Sequence, residues 1–288
     1  MNEYFELNNG LKIPAVGFGC YDAAKGDSQK MLITAVESGY RFFDTASLYG
    51  TERFLGKALQ VSGLLRSDFF IQSKMWLDEM GYNQTFQAFD RTLNRIGTDY
   101  LDVYLIHWPR QNGTTDDEWK ETLTQTYSAL EELQSKGKIK AIGLSNFLPH
   151  HLDYVLNICK VKPVVNQLEM HVGYMQEYAA NYAKSKGLVI EAWSPLARGA
   201  LKDNQLIFEL SKKYNVSAGQ IALRFVYQSG AIPLPKAQSM EHQKENMNIF
   251  DFELSSEDFH RLATLPQSGW SGEHPDLSIP TAKSNFSQ

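Results

Sequence analysis

Cysteine is nearly absent from this 288-residue chain: only Cys20 and Cys159 occur, and they form no CxxC pair. That excludes a disulfide framework, and two reduced thiols in a cytoplasmic protein are expected. No apolar run approaches the roughly 20 residues of a membrane span. Met1–Pro14 shows no basic stretch followed by an apolar segment, so no secretory leader and no membrane partner are expected. Basic charge is also scarce. The 28 Lys and Arg against 33 Asp and Glu leave a formal net charge of -5 and a pI near 5.8. Nucleic acid is thereby excluded as the main partner, because phosphate backbones demand a basic surface. Glycine-rich nucleotide fingerprints are missing: no GxGxxG follows a strand and no Walker A sequence occurs, which argues against a doubly wound dinucleotide fold. The seven histidines show no zinc-ligand spacing. The adjacent His150 and His151 are expected to point different ways on the helix they open, so no metal is expected.

What is present is alternation. Val16–Gly19, Arg41–Asp44, Phe69–Lys74, Asp102–His107, Ala141–Ser145, Val164–Glu169, Leu188–Trp193 and Ile232–Lys236 read as short strands. Helical stretches such as Ser28–Ser38, Gln84–Ile96, Trp119–Lys136 and Ala179–Lys186 lie between them. Eight strands with intervening helices predict an α/β fold, a (β/α)8 TIM barrel forming one domain over residues 1–288. Tyr4–Ile13, alternating around Asn8-Asn9-Gly10, predicts an N-terminal β-hairpin over the barrel's N-terminal mouth. Two further C-terminal helices follow Lys236, one of them opening at Ser255-Ser256-Glu257-Asp258. The polar, aperiodic tail from Pro266 predicts a C-terminal loop over the opposite, active-site face.

Four polar residues stand at or just past strand ends: Asp44, Tyr49, Lys74 and His107. In a parallel barrel those ends converge on one face, so an acid, a phenol, an amine and an imidazole meet there. Singly each has an ordinary reading, as a turn cap, a surface aromatic or a solvated lysine. Together they make a proton-transfer group. The surrounding residues carry a family likeness. Gly39-Tyr40-Arg41, Asp44-Thr45-Ala46, Glu52 and Leu55-Gly56 match one long signature; Ile142-Gly143-Leu144-Ser145-Asn146-Phe147 match a second, and Leu234-Pro235-Lys236 part of a third. The chain resembles the aldo-keto reductase family along nearly its whole length, in particular its bacterial-type, prostaglandin F synthase-like and diketo-gluconate reductase-like members.

That resemblance implies a monomeric oxidoreductase that reduces small aldehydes or ketones with NADPH. Asp44, Tyr49, Lys74 and His107 are its implied catalytic tetrad. Tyr49 gives the proton, Lys74 lowers the phenol pKa, Asp44 anchors Lys74, and His107 orients the carbonyl. The implied cofactor shell is Asp44, Ser145, Asn146, Gln167, Trp193, Ser194, Leu196, Lys236, Ala237, His242, Glu245 and Asn246. Tyr21, Tyr49, Trp76, His107, Trp108 and Trp270 are the candidate substrate walls. At the phosphate end Ala237 replaces a usual Ser or Thr, and His242 stands where an arginine is common. A histidine of pKa about 6.5 is mostly neutral at pH 7, so a weakened NADPH preference with some NADH use is expected. Two rival readings are a Schiff-base aldolase using Lys74 and a non-catalytic NADP-binding interaction protein.

Overall fold

The computed structural model describes residues 3–21 and 26–280. Eight parallel strands, β3 (Phe18–Gly19), β4 (Phe42–Asp44), β5 (Phe70–Met75), β6 (Leu101–Ile106), β7 (Ile139–Ser145), β8 (Val165–Glu169), β9 (Val189–Trp193) and β10 (Ala231–Pro233), pair in chain order. The barrel closes between its last and first strands. Gly17 N and Gly19 N donate to the carbonyls of Pro233 (3.1 Å) and Pro235 (3.0 Å). The expected eighth strand ran to Lys236 but ends at Pro233, because Pro233 and Pro235 carry no N–H for a regular ladder. Their carbonyls still accept, which suffices for closure.

Helices α1 (Ser28–Glu37), α2 (Glu52–Ser62), α3 (Tyr82–Ile96), α4 (Asp116–Ser135), α5 (Pro149–Ile158) and α6 (Glu177–Ser185) each follow a strand. Between β9 and β10 lie α7 (Gln205–Tyr214) and α8 (Ala218–Gln228). The two helices expected after the last strand are α9 (Met240–Met247) and α10 (Ser256–Ala263). The first of them packs on both α8 and α1 and so completes the helical ring. Ser255 caps α10, its hydroxyl accepting from Asp258 N.

Inward-facing positions alternate along each strand and change character with height. Phe42, Phe70, Val103, Leu105, Ala141, Val165 and Ile232 form one apolar cluster toward the N-terminal mouth, which Leu234 extends up to the opposite end. The hairpin β1 (Tyr4–Glu6) and β2 (Lys12–Pro14) adds Leu7 and Ile13 to that cluster. Its tip is held by Asn8 Nδ2, which donates to the carbonyl of Pro163 at 2.8 Å. Two residues further along the strands the lining turns polar: Asp44 above Phe42, Gln72 and Lys74 above Phe70, Gln167 above Val165, and Glu191 above Val189. All five are buried. One end of the barrel is thus an apolar plug, and the other is lined by buried polar and charged groups.

The C-terminal tail, as far as Pro280, lies across the face at the C-terminal ends of the strands, as expected, and its remaining residues lie outside the described ones. Ser271 donates from N (3.1 Å) and Oγ (2.7 Å) to Glu169, and Ile279 exchanges hydrogen bonds with the Asn112 side chain. Asp276 receives both His150 Nε2 (3.2 Å) and His151 Nε2 (2.9 Å). The expectation that these histidines diverge is therefore wrong: their ring centroids are 3.9 Å apart. The divergence argument assumed a regular helix interior, whereas this pair sits in the first turn, behind Pro149, where the tail packs. Among the described residues they form the one trio of His, Cys or acidic groups able to converge on an ion. The bonding opposes that use. Leu148 N donates to His151 Nδ1 at 3.2 Å, so Nε2 carries the ring proton and donates to Asp276. A ring bonded in this way has no lone pair to offer, and the Arg110 guanidinium stands 3.8 Å from Asp276.

Two signature glycines have steric causes. A Cβ on Gly143 would stand 2.7 Å from Leu105 and 2.8 Å from Val165 inside the barrel. One on Gly56 would run into the Ile96 carbonyl where α2 crosses the end of α3. Gly56→Ala should therefore destabilise by about 1–3 kcal/mol, as overpacking typically does. The check is the urea midpoint against wild type; an unchanged midpoint contradicts this packing.

Candidate active site

The sharp turn Ser47–Tyr49 after β4 lifts Tyr49 over the barrel mouth, and Gly50 takes the left-handed conformation (φ 70°) that ends the turn. Ser47 Oγ donates to Glu79 at 2.5 Å and ties this turn to the segment after β5. Lys74 projects inward from β5 with no solvent exposure. Its ammonium donates to Asp44 Oδ2 (2.6 Å), Thr45 O (3.2 Å) and Tyr49 Oη (3.3 Å). His107, just past β6, places Nε2 3.5 Å from the same phenol oxygen. Lys74 and His107 thus converge on the Tyr49 oxygen, and Asp44 joins the group through Lys74.

Their protonation follows from burial and neighbours. Burial pushes Tyr49 up to about 12, against the pull of the Lys74 cation. Lys74 does lower the phenol as expected, but the net shift is upward, because removing a phenolate from water costs more than this one cation returns. Burial pulls Lys74 down, but the Asp44 charge, with the hydrogen bonds to Asp44 and Tyr49, outweighs it and holds the amine above its ordinary value. His107 is driven well below the usual range by burial and then by Lys74, so the ring is neutral. The resting group is therefore a phenol, an ammonium, a carboxylate and a neutral imidazole.

A second buried polar layer lies directly beneath. The side-chain amide nitrogens of Gln72 and Gln167 each donate to two carboxylates. Gln72 reaches Asp44 Oδ1 (2.8 Å) and Glu191 Oε2 (2.7 Å); Gln167 reaches the same atoms at 3.1 and 2.7 Å. Sequence reasoning missed Gln72 and Glu191. The available signal was polar residues at inward positions of strands otherwise reading as apolar.

Above the tetrad opens a cavity of about 580 Å³. Of the expected residues, Tyr21, Asp44, Tyr49, Trp76, His107, Trp108, Asn146, Gln167, Trp193, Ser194, Leu196 and Lys236 line it. Trp76 packs edge-on against His107 with centroids 4.8 Å apart, and Tyr21 lies 5.0 Å from Tyr49. Ser145 is buried behind the wall, accepting from Asn146 Nδ2 at 3.1 Å. Ala237, His242, Glu245 and Asn246 fall outside the lining. His242 is exposed in the first turn of α9, while Asn246 is buried. Trp270 is also outside: 49% exposed, it hydrogen-bonds Glu273 O and lies toward Tyr174. The tail reaches the cavity instead through Glu273 and Pro280, and the segment after β9 through Arg198. Arg198 pairs with Glu273 at 3.4 Å across the mouth. None of these three carried a periodic signal, since all lie in irregular segments. Asn146 (φ 62°), Ser194 (φ 52°) and Arg198 (φ 51°) hold left-handed backbone at the rim, strain of the kind that clusters at functional sites.

Comparison with known proteins agrees with this architecture. The aldo/keto reductase family matches residues 16–266. A glyoxal reductase of Bacillus subtilis is 39% identical over 277 residues, covering 96% of this chain and 97% of that protein. Among solved structures, an aldo-keto reductase from a Medee basin deep-sea metagenome library superposes with a TM-score of 0.88 at 33% identity, covering 96% and 99% of the two chains. A Bombyx mori aldo-keto reductase in complex with NADP gives 0.83 at 28% identity, covering 91% and 92%. A barrel whose strand ends carry this tetrad, matched in sequence along most of its length, belongs to the aldo/keto reductase family, nicotinamide-dependent oxidoreductases of small carbonyl compounds.

Proposed function

We propose that the chain is an NADPH-preferring reductase of aldehydes and ketones in which Tyr49 donates the proton. The observation that carries this reading is the phenol oxygen held between Lys74 Nζ (3.3 Å) and His107 Nε2 (3.5 Å) at the floor of the cavity. As a carbonyl becomes an alkoxide, negative charge grows on its oxygen, and a proton must arrive there. Tyr49 supplies that proton. Lys74 stabilises the phenolate left behind, and Asp44 keeps Lys74 charged and in place. The neutral His107 ring donates a hydrogen bond to the substrate oxygen and fixes its approach. Tyr21, Trp76 and Trp108 supply apolar walls suited to small carbonyl compounds.

The residues present fit a nicotinamide. Gln167 commits its amide nitrogen to two carboxylates, so an acceptor oxygen remains at the cavity, matched to the amino group of a carboxamide. The Trp193 ring is fixed by its Nε1 bond to Asn146 Oδ1 (2.9 Å) and offers a flat wall. Bound there, the reduced nicotinamide supplies the hydride. Lys236 at the cavity edge suits the adenosine phosphate end, with Ser194 and Leu196 along the way. Ala237, His242, Glu245 and Asn246 are assigned to the adenosine end by the motif match.

The aldolase alternative is not favoured. A Schiff base needs a neutral, accessible amine, whereas Lys74 is fully buried and held cationic by Asp44. An intact tetrad likewise disfavours a purely binding role.

Three outcomes follow from these assignments. Tyr49→Phe should cut kcat for NADPH-dependent carbonyl reduction by about 10²–10⁴ or more while leaving NADPH affinity nearly unchanged; retained turnover removes Tyr49 from its role. The second concerns the reverse reaction. Because the phenol lies near 12, alcohol oxidation needs a rare phenolate, so its kcat/KM should climb with pH and still be rising at about pH 10. A flat profile between about pH 7 and 10 contradicts this. Third, the ratio of kcat/KM for NADPH over NADH should fall below about a thousandfold. His242→Arg should raise that ratio about tenfold by adding a charge-assisted phosphate contact. An unchanged ratio would place His242 away from the phosphate.

A further inference from the structure

In the layer beneath the tetrad Gln72 and Glu191 have no role in the chemistry described above, yet Glu191 is a carboxyl group with no exposure. Glu191 points into the barrel from β9. Asp44 faces it from β4, Gln72 and Lys74 from β5, and Gln167 from β8. Among the described residues no cation forms an ion pair with Glu191, and the hydrogen bonds it accepts come from neutral amides, both to Oε2. Glu191 Oε1 is buried without a partner, and so is Gln72 Oε1. Buried polar atoms left unpaired in this way are uncommon and call for a reason. An ionised Glu191 leaves a bare charged oxygen in the core, whereas a proton on it turns that oxygen into a donor.

The connection to the tetrad is direct. Each of the two amide groups places one hydrogen on Glu191 Oε2 and the other on Asp44 Oδ1. Asp44 grips Lys74 with its second oxygen, and Lys74 contacts Tyr49. A change at Glu191 is therefore felt two bonds away at the anchor of the ammonium, and at Gln167 in the cavity wall.

We propose that Glu191 is a positioning residue for carbonyl reduction, wired by Gln72 and Gln167 to Asp44 so that its own charge tunes Tyr49. This rests on the reductase reading above, since it assigns an effect on Tyr49 as proton donor. The sign follows from electrostatics: an ionised Glu191 adds a negative charge near the phenol and opposes formation of the phenolate. Burial, followed by the Asp44 charge, raises the Glu191 carboxyl to about 7, so the switch lies in the working range. Below neutrality the layer carries a proton and Tyr49 releases its own more readily. Above it, the added charge holds the phenol protonated.

The test uses the whole protein. With glutamate labelled at the side-chain carbonyl carbon, one resonance of wild type should titrate near neutrality while ordinary glutamates titrate near about 4.3. That titration should vanish in Glu191→Gln. In the pH profile of kcat/KM for alcohol oxidation, Glu191→Gln should be about threefold or more faster than wild type at pH 9. The two curves should meet below about pH 6, where wild-type Glu191 is protonated. A variant that merely loosened the core would lower the whole curve rather than change its shape. Should Glu191→Gln fail to fold, Gln72→Leu keeps the carboxyl and cuts one wire; it should shrink the pH-dependent step. No carbon titrating near neutrality, or profiles that superpose with turnover intact, overturns the role of Glu191 alone. Absence of NADPH-dependent turnover in wild type on any carbonyl overturns the reductase reading and this proposal with it.

Discussion

The Lys74–Asp44 ion pair, 2.6 Å long and buried at the mouth of the barrel, is the constraint around which the rest of the site is built. Removing two charges from water costs several kcal/mol per ion unless the geometry and every remaining hydrogen bond are favourable. Here those bonds are supplied. Thr45 O and Tyr49 Oη complete the ammonium, and two glutamine amides complete the carboxylate. Such a pair adds little to stability compared with apolar packing. Its value is preorganisation: a cation fixed beside a phenol costs nothing to reorient when charge develops there. The apolar plug at the other end of the barrel, sealed by the N-terminal hairpin, provides the burial that makes this polar layer sustainable.

Much of this was legible before any coordinates. Strand positions followed from runs buried on both faces, and the strand-end residues Asp44, Lys74 and His107 could be placed by counting to the end of each run. Signature residues proved structural as often as chemical. Glu52 is buried and accepts from Ser73, Thr92 and Arg95, which clamps α2 to β5 and α3. Gly56 and Gly143 serve close packing. A motif match alone cannot separate such residues from Tyr49, because both kinds are intolerant of change for different physical reasons.

What was not legible shares one cause: it depends on contacts made by segments without periodicity. His150 and His151 meet at Asp276 because the tail passes over the first turn of α5, a fact no helical-wheel argument contains. Trp270 was a reasonable wall by its size, yet Glu273 and Pro280 from the same tail reach the cavity while the indole lies 49% exposed. The net sign of the Tyr49 shift was not legible for a related reason. A neighbouring cation is visible from spacing, whereas the depth of burial that opposes it is a property of the assembled barrel.

In the proposed reaction that opposition changes how the tetrad works. Were Lys74 dominant, Tyr49 would rest partly as phenolate and be a poor donor near neutrality. With burial dominant, the resting phenol is fully protonated, and the cation acts only as charge appears, which stabilises the product of proton transfer more than the ground state. A second negative charge beneath Asp44 pushes in the same direction as burial, so the amides that separate Glu191 from Asp44 serve a purpose no direct carboxylate contact could. They keep two like charges in one dry barrel, each with a full set of donors on the shared side, while leaving one oxygen of Glu191 free to hold or release a proton. On the proposed reading the acidity of Tyr49 is then set by the whole inward-facing layer, not by the four strand-end residues in isolation.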